Sequence, residues 1–106
     1  MSTKQDNFKD FILDQLQNLH GLRAKKMFGG YGLYQDDKFF GIIDEEELYF
    51  KVNEVNRFDF GERDMKPFEY GEGKKLKNYY QVPDDIIENE DDLLDWAWKA
   101  LAGESE

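Results

Sequence analysis

Between Met27 and Val52 the chain reads MFGGYGLYQDDKFFGIIDEEELYFKV, and no other stretch restricts the fold as much. Short aromatic and branched runs are broken twice by polar residues, at Gln35-Asp36-Asp37-Lys38 and at Asp44-Glu45-Glu46. Polar breaks of this length between strand-forming runs are hairpin turns, so the segment is predicted to form three antiparallel strands, about 28–34, 38–43 and 47–52, arranged as a meander. The acidic run Asp44–Glu47 is read as a solvated turn rather than a cation site.

The flanking sequence has a different period. In DNFKDFILDQLQNLH, residues 6–20, Phe8, Phe11, Ile12, Leu16 and Leu19 recur at spacings of three and four, as on an amphipathic helix. Asp6 is its expected N-cap, Gly21 its C′ residue, and His20 falls in the last turn. Asn53 is expected to cap a short crossover helix, NEVNRFDFGERD, with Val55, Phe58 and Phe60 on the apolar side. Lys66–Tyr70 reads as an edge strand, because Pro67 has no N–H to give to a ladder. Gly71-Glu72-Gly73-Lys74 then turns the chain back into a fifth strand, Leu76–Val82, which Pro83 ends. From Pro83 onward Leu93, Leu94, Ala97, Trp98 and Leu101 return at helical spacing, with Asp91 and Asp92 in the first turn and Lys99 toward the favoured opposite end. At about 100° per residue the mean apolar direction lies near Ala97, leaving Trp96 and Trp98 on either side of it. The order α-β-β-β-α-β-β-α predicts an α+β fold with helices packed on one antiparallel sheet.

Composition bounds the remaining possibilities. At 106 residues one core is expected, so residues 1–106 are read as a single domain. The absence of cysteine excludes disulfides, thiolate nucleophiles, iron–sulfur clusters and cysteine-type zinc sites, and it makes the cytoplasm the expected compartment. No apolar run approaches the roughly 18 residues of a membrane span, and MSTKQDNFKD lacks a signal-peptide pattern. The chain is 36% charged, with 24 acidic against 14 basic residues, yet 16% aromatic, which supplies the apolar area that a disordered acidic chain lacks.

The segment Lys25-Lys26-Met27-Phe28-Gly29-Gly30-Tyr31-Gly32-Leu33-Tyr34 resembles the opening signature of the TfoX N-terminal domain family, the Sxy-type competence regulators. Leu48–Val52, Met65–Tyr70 and Tyr79–Pro83 resemble that family's third, fourth and fifth strands in order, and Leu93–Ala97 with Ala100-Leu101 resembles its terminal helix. The similarity covers residues 8–102. It implies the same α+β order and a regulatory role in natural competence, in which full-length members act with the cyclic-AMP receptor protein at certain promoters. Those members usually carry a second, C-terminal domain. This chain stops at Gly103-Glu104-Ser105-Glu106 and is expected to be the first domain alone. The family implies no catalytic residues, and Trp98 stands where the resemblance leads one to expect a polar residue.

Each chemically suggestive feature has a plain structural alternative. Gly29, Gly30 and Gly32 continue into Leu33-Tyr34 and a hairpin rather than opening a helix, which is the wrong context for a phosphate loop. A bent or bulged strand under close helix contact is expected instead. His20 has no visible catalytic partner, and neither an EF-hand loop nor a histidine pair is present, so no cofactor or metal is expected. Two basic clusters stand out, Arg23-Lys25-Lys26 and Lys74-Lys75-Lys77, the second followed by Tyr79 and Tyr80. Cations beside stackable rings are the ingredients of single-strand binding, whereas the net charge of −10 repels polyanions at long range. If Trp96 takes the core margin, Trp98 is left partly exposed near Leu94, an arrangement enriched at interfaces. The expected function is therefore a non-enzymatic module acting through protein contacts at Leu94 and Trp98, with a second copy of the chain among the partners. The alternatives are an accessory protein that contacts nucleic acid through the two basic clusters, and a small enzyme with carboxylate chemistry.

Overall fold

A computed structural model describes residues 4–27, 29–70 and 73–103. The fold is α+β. Helix α1 (Lys4–Gln15) precedes four strands, β1 (Leu22–Met27), β2 (Gly30–Gln35), β3 (Lys38–Asp44) and β4 (Glu47–Lys51). Helix α2 (Arg57–Glu62) crosses to β5 (Pro67–Tyr70) and β6 (Lys74–Gln81), and a single turn α3 (Asp84–Ile87) leads to α4 (Glu90–Ala102). The six strands form one antiparallel sheet in the order β1-β2-β3-β4-β6-β5.

The expected order gains one strand and one helical turn. Leu22–Met27 contains no aromatic or β-branched residue, so composition does not mark it, yet it pairs with β2 from Leu22 opposite Gln35 to Met27 opposite Gly30. It is an edge strand whose Arg23, Lys25 and Lys26 are exposed, and charges there discourage pairing with other chains. The strand expected from residue 28 therefore starts at Gly30, and Phe28 lies outside the described residues. The segment after Pro83, which the sequence suggests is one terminal helix, is broken at Glu88-Asn89 into α3 and α4. Asn89 restarts it, its side chain accepting from the Asp92 N–H at 3.0 Å as an N-cap.

Three local expectations change. Asp6 lies inside the first turn of α1 rather than capping it, and its carboxylate accepts a hydrogen bond from the Tyr31 hydroxyl. Helix α1 ends at Gln15, short of His20, which is exposed; Gly21 does take the left-handed conformation, at φ +81°. Helix α2 begins only after Asn56, and of its expected apolar residues Phe60 alone is buried. Phe58, about 200° around the helix from Phe60, is 72% exposed, and Val55 precedes the helix and is exposed too.

The four helices among the described residues lie on one side of the sheet. The main core joins Ile12, Leu16 and Leu19 with Ile86 and Ile87, with Leu93, Ala97 and Leu101 of α4, and with Leu33, Leu48 and Phe50 of the strands. Lys38 serves this side too, donating its ammonium to the Leu101 carbonyl at 2.6 Å at the end of α4. A second, smaller cluster draws only on strand residues among those described: Ile42, Phe68 and Tyr79 are buried, with Phe39, Tyr49 and Leu76 packed around them.

One irregularity lets β3 feed both clusters. Leu33 pairs with Gly41 but Tyr34 pairs with Phe39, so Phe40 is an extra residue in a bulge. Side chains alternate along a regular strand, and Phe40 and Ile43, three apart, should then face opposite ways. The bulge resets the phase, so both belong to the main core while Phe39 and Ile42 belong to the second cluster. Gly41 sits at the reset, where an added Cβ would stand 3.2 Å from both Leu33 and Phe50.

Candidate functional site

The residue split expected on the terminal helix is present. Leu93, Ala97, Ala100 and Leu101 are buried, and Trp96 packs edge to face on Phe60 of α2 with ring centroids 4.8 Å apart. The Lys99 ammonium lies 3.3 Å from Asp59 and 3.4 Å from Asp95, which fastens α2 to α4 on that flank and raises the lysine pKa, chiefly through the bond to Asp59. Trp98, about 200° from Trp96, is 45% exposed, and Leu94 is half-buried against the core. Helix α1 and the turn after it lie beside α3 and α4: Gln15 donates to the Ile87 carbonyl of α3 at 2.9 Å, and Gln17, just past α1, to Glu90 of α4 at 3.5 Å. Phe11 on α1 is 42% exposed. This helical layer is strongly acidic, its four helices holding eleven carboxylates against four cations.

The two basic clusters do not meet. Arg23, Lys25 and Lys26 occupy β1 at one edge of the sheet, whereas Lys74, Lys75 and Lys77 belong to β6, four strand steps or about 19 Å away. Lys75 is exposed and 3.9 Å from Glu69, and the side chain of Lys77 lies outside the described residues. The two tyrosines after the second cluster separate as well. Tyr80 packs toward Phe60 on the helical side, centroids 6.2 Å apart, while Tyr79 joins the second cluster.

The sheet's other face carries residues that sequence reasoning did not assemble. Register sets Arg23 beside Tyr34, Tyr34 beside Phe39, and Lys51 beside Tyr79. The rings of Tyr34 and Phe39 are 5.2 Å apart and those of Phe39 and Tyr79 5.3 Å, so Phe39 and Tyr79 reach one another across β4. The Arg23 guanidinium lies over the Tyr34 ring at 5.9 Å. Beside this row Tyr49 meets Phe68 at 4.9 Å, edge to face. Burial pushes the Tyr79 phenol up to about 12, with a smaller contribution from nearby Tyr34. Only the Tyr79-Tyr80 pair hinted at this face, because the bulge and the strand order that align the rings leave no mark in composition.

The glycines serve packing within the sheet rather than contact with a helix. A Cβ on Gly30 would run into the Ile43 carbonyl oxygen, and one on Gly32 would meet Met27 Sδ at 2.7 Å. Gly29 turns β1 into β2 at φ +79°, a conformation glycine adopts without steric cost.

Among the described residues, groups suited to catalysis are scattered. A cleft of about 410 Å³ lies beside α2 and β6, lined by Arg57, Phe60, Met65, Asn78 and Tyr80, and Asp64 is the one carboxylate among its lining residues. Asp44, whose carboxyl is pushed up by burial and by Glu45, lies at the opposite end of β4 from Val52, which also lines the cleft. No group of three or more histidine, cysteine or carboxylate side chains able to hold a metal ion occurs among the described residues. No described helix is long and apolar enough to cross a membrane.

A six-stranded antiparallel sheet with its helices on one side, carrying the Lys25–Tyr34 segment across a β1–β2 hairpin, defines the class. The chain belongs to the TfoX N-terminal domain family, whose family model matches residues 14–103. Comparison with curated proteins finds no match.

Proposed function

We propose that this domain is a regulatory module that works through protein contacts rather than catalysis, with its contact face built on α4 around Trp98 and Leu94. The observation that carries this reading is the exposure of Trp98, 45% in solvent two positions from a buried Trp96. A large amphipathic ring left outside a core is the residue type most often found at the centre of an interface. Membership in the TfoX N-terminal domain family supports a regulatory role. Asp95 and Asp91, exposed about one and two turns before Trp98 on α4, favour a partner whose rim is basic. A second copy of the chain is the other partner to test.

Sedimentation velocity over a concentration series, alone and with proteins captured on the immobilised domain, tests the reading against Trp98→Ala. Loss of self-association or of capture in a variant that melts like the parent supports it. An unchanged sedimentation profile together with an unchanged capture pattern overturns it.

A further inference from the structure

We infer that the helix-free face of the sheet binds single-stranded nucleic acid, with bases stacked on Tyr34 and Phe39 and phosphates held by Arg23 and Lys51. The inference stands apart from the proposed contact face on α4, which lies on the other side of the molecule.

Three observations point the same way. Arg23, Tyr34, Phe39, Lys51 and Tyr79 form one line across β1, β2, β3, β4 and β6, so cations and rings follow one another as phosphates and bases do along a strand. Tyr34 and Phe39 are only half-buried; the Phe39 ring packs on the layer of Ile42, Phe68 and Tyr79, and Tyr34 lies beside it with ring centroids 5.2 Å apart, so both rings are placed before any ligand arrives. The charge of the molecule is also segregated. Alternation along the strands puts Arg23, Lys25 and Lys51 on this face near the row of rings, and Asp44 and Glu47 on it at the opposite end of β3 and β4, although the chain as a whole is at −10. A polyanion is therefore repelled by the helical layer and admitted on the sheet side.

The same charges decide between occupants. A second copy placed sheet to sheet would bring two sets of Arg23, Lys25 and Lys51 into one contact against two of Asp44 and Glu47, a net like-charge cost that a polyanion does not meet. A duplex keeps its bases stacked on each other and cannot offer them to Tyr34 and Phe39. Lys38 takes no part, because its ammonium is held by the Leu101 carbonyl on the other face.

The test is fluorescence anisotropy of labelled oligothymidylate and oligouridylate of about 12 nucleotides with the intact chain. Binding should weaken roughly tenfold between 50 and 200 mM salt, the response expected of two to three phosphate contacts on a single strand. Phe39→Leu and Tyr34→Leu, which keep apolar volume but remove the ring, should each weaken binding about tenfold. Arg23→Gln should lower both the affinity and the salt slope, and Trp98→Ala should change neither. Arg23 is exposed on the edge strand, so its variant decides the matter even if a ring variant fails to fold. No binding at 50 mM salt, binding indifferent to both Phe39→Leu and Arg23→Gln, or equal binding of a duplex would overturn the inference. So would sedimentation showing that Phe39→Leu dissolves a dimer, which would give the face to a second copy.

Discussion

Asn53 and Asn56 cap each other: the Asn53 N–H donates to Asn56 Oδ1 at 2.7 Å, and the Asn56 N–H donates to Asn53 Oδ1 at 3.2 Å. Each also reaches a different element. Asn56, 1% exposed, donates its amide to the Lys51 carbonyl at the end of β4, and Asn53 donates to the Lys99 and Ala100 carbonyls in the last turn of α4. The pair ties sheet, crossover and terminal helix at one point. Asn56→Ala strands the Asn53 N–H and the Lys51 carbonyl and should cost about 2–3 kcal/mol in urea unfolding. Asn56→Asp keeps the acceptor but sets a carboxylate against the Lys51 carbonyl, and it should cost at least as much. A change below 0.5 kcal/mol, roughly the level of an ordinary surface substitution, would remove the pair from any role in stability.

The two tryptophans should separate cleanly. Trp96→Ala empties the contact with Phe60 and should destabilise by about 3–5 kcal/mol, whereas Trp98→Ala should stay within about 1 kcal/mol of the parent. Emission spectra check the same assignment: Trp98→Ala should leave only the blue-shifted signal of a buried indole. Equal destabilisation by both variants would contradict the exposure difference.

Alkaline stability should depend on Tyr79. Its native pKa is pushed up to about 12, above the usual value of about 10 expected in the unfolded chain. Between these values the native protein keeps a proton that the unfolded chain has released. Stability therefore falls as pH rises through that window, by about 1–2 kcal/mol after allowance for partial solvent access. Below pH 10, roughly the unfolded value, this contribution is fully present. Urea melts on both sides of the window should show a shallower fall for Tyr79→Phe, and equal slopes in variant and parent would count against the assignment.

Two neighbouring glycines should respond unequally to alanine. Gly30→Ala drives its Cβ into the backbone oxygen of Ile43, which the β2–β3 pairing holds in place, and should cost 3 kcal/mol or more, roughly the upper range for overpacking. Gly32→Ala meets the thioether of Met27, a side chain able to swing aside, and should cost about 1 kcal/mol. Thermal melts of the two variants would show the order directly, and a reversed order would refute the packing account.

The sequence makes some of these features legible and hides others for identifiable reasons. The hairpins around Asp36-Asp37 and Glu45-Glu46 and the face of α4 could be read because polar breaks and helical spacing are local properties. Leu22–Met27 stays hidden because an edge strand of charged and aliphatic residues looks like a linker. The separation of the lysine clusters and the alignment of Tyr34, Phe39 and Tyr79 follow from strand order and from one bulge, and neither is written in any short window. Asn53 could be recognised as a capping residue, but not its reach to α4, which lies 46 positions further along.

The extra residue at Phe40 gives the main core a ring, packed on Phe50, without disturbing the frame of β3. Deleting it would leave Phe39 opposite Tyr34 and Gly41 opposite Leu33 in unbroken alternation, with Ile42 and Ile43 still on their present sides. One side of the sheet can therefore gain or shed a residue at this point while the other keeps its pattern.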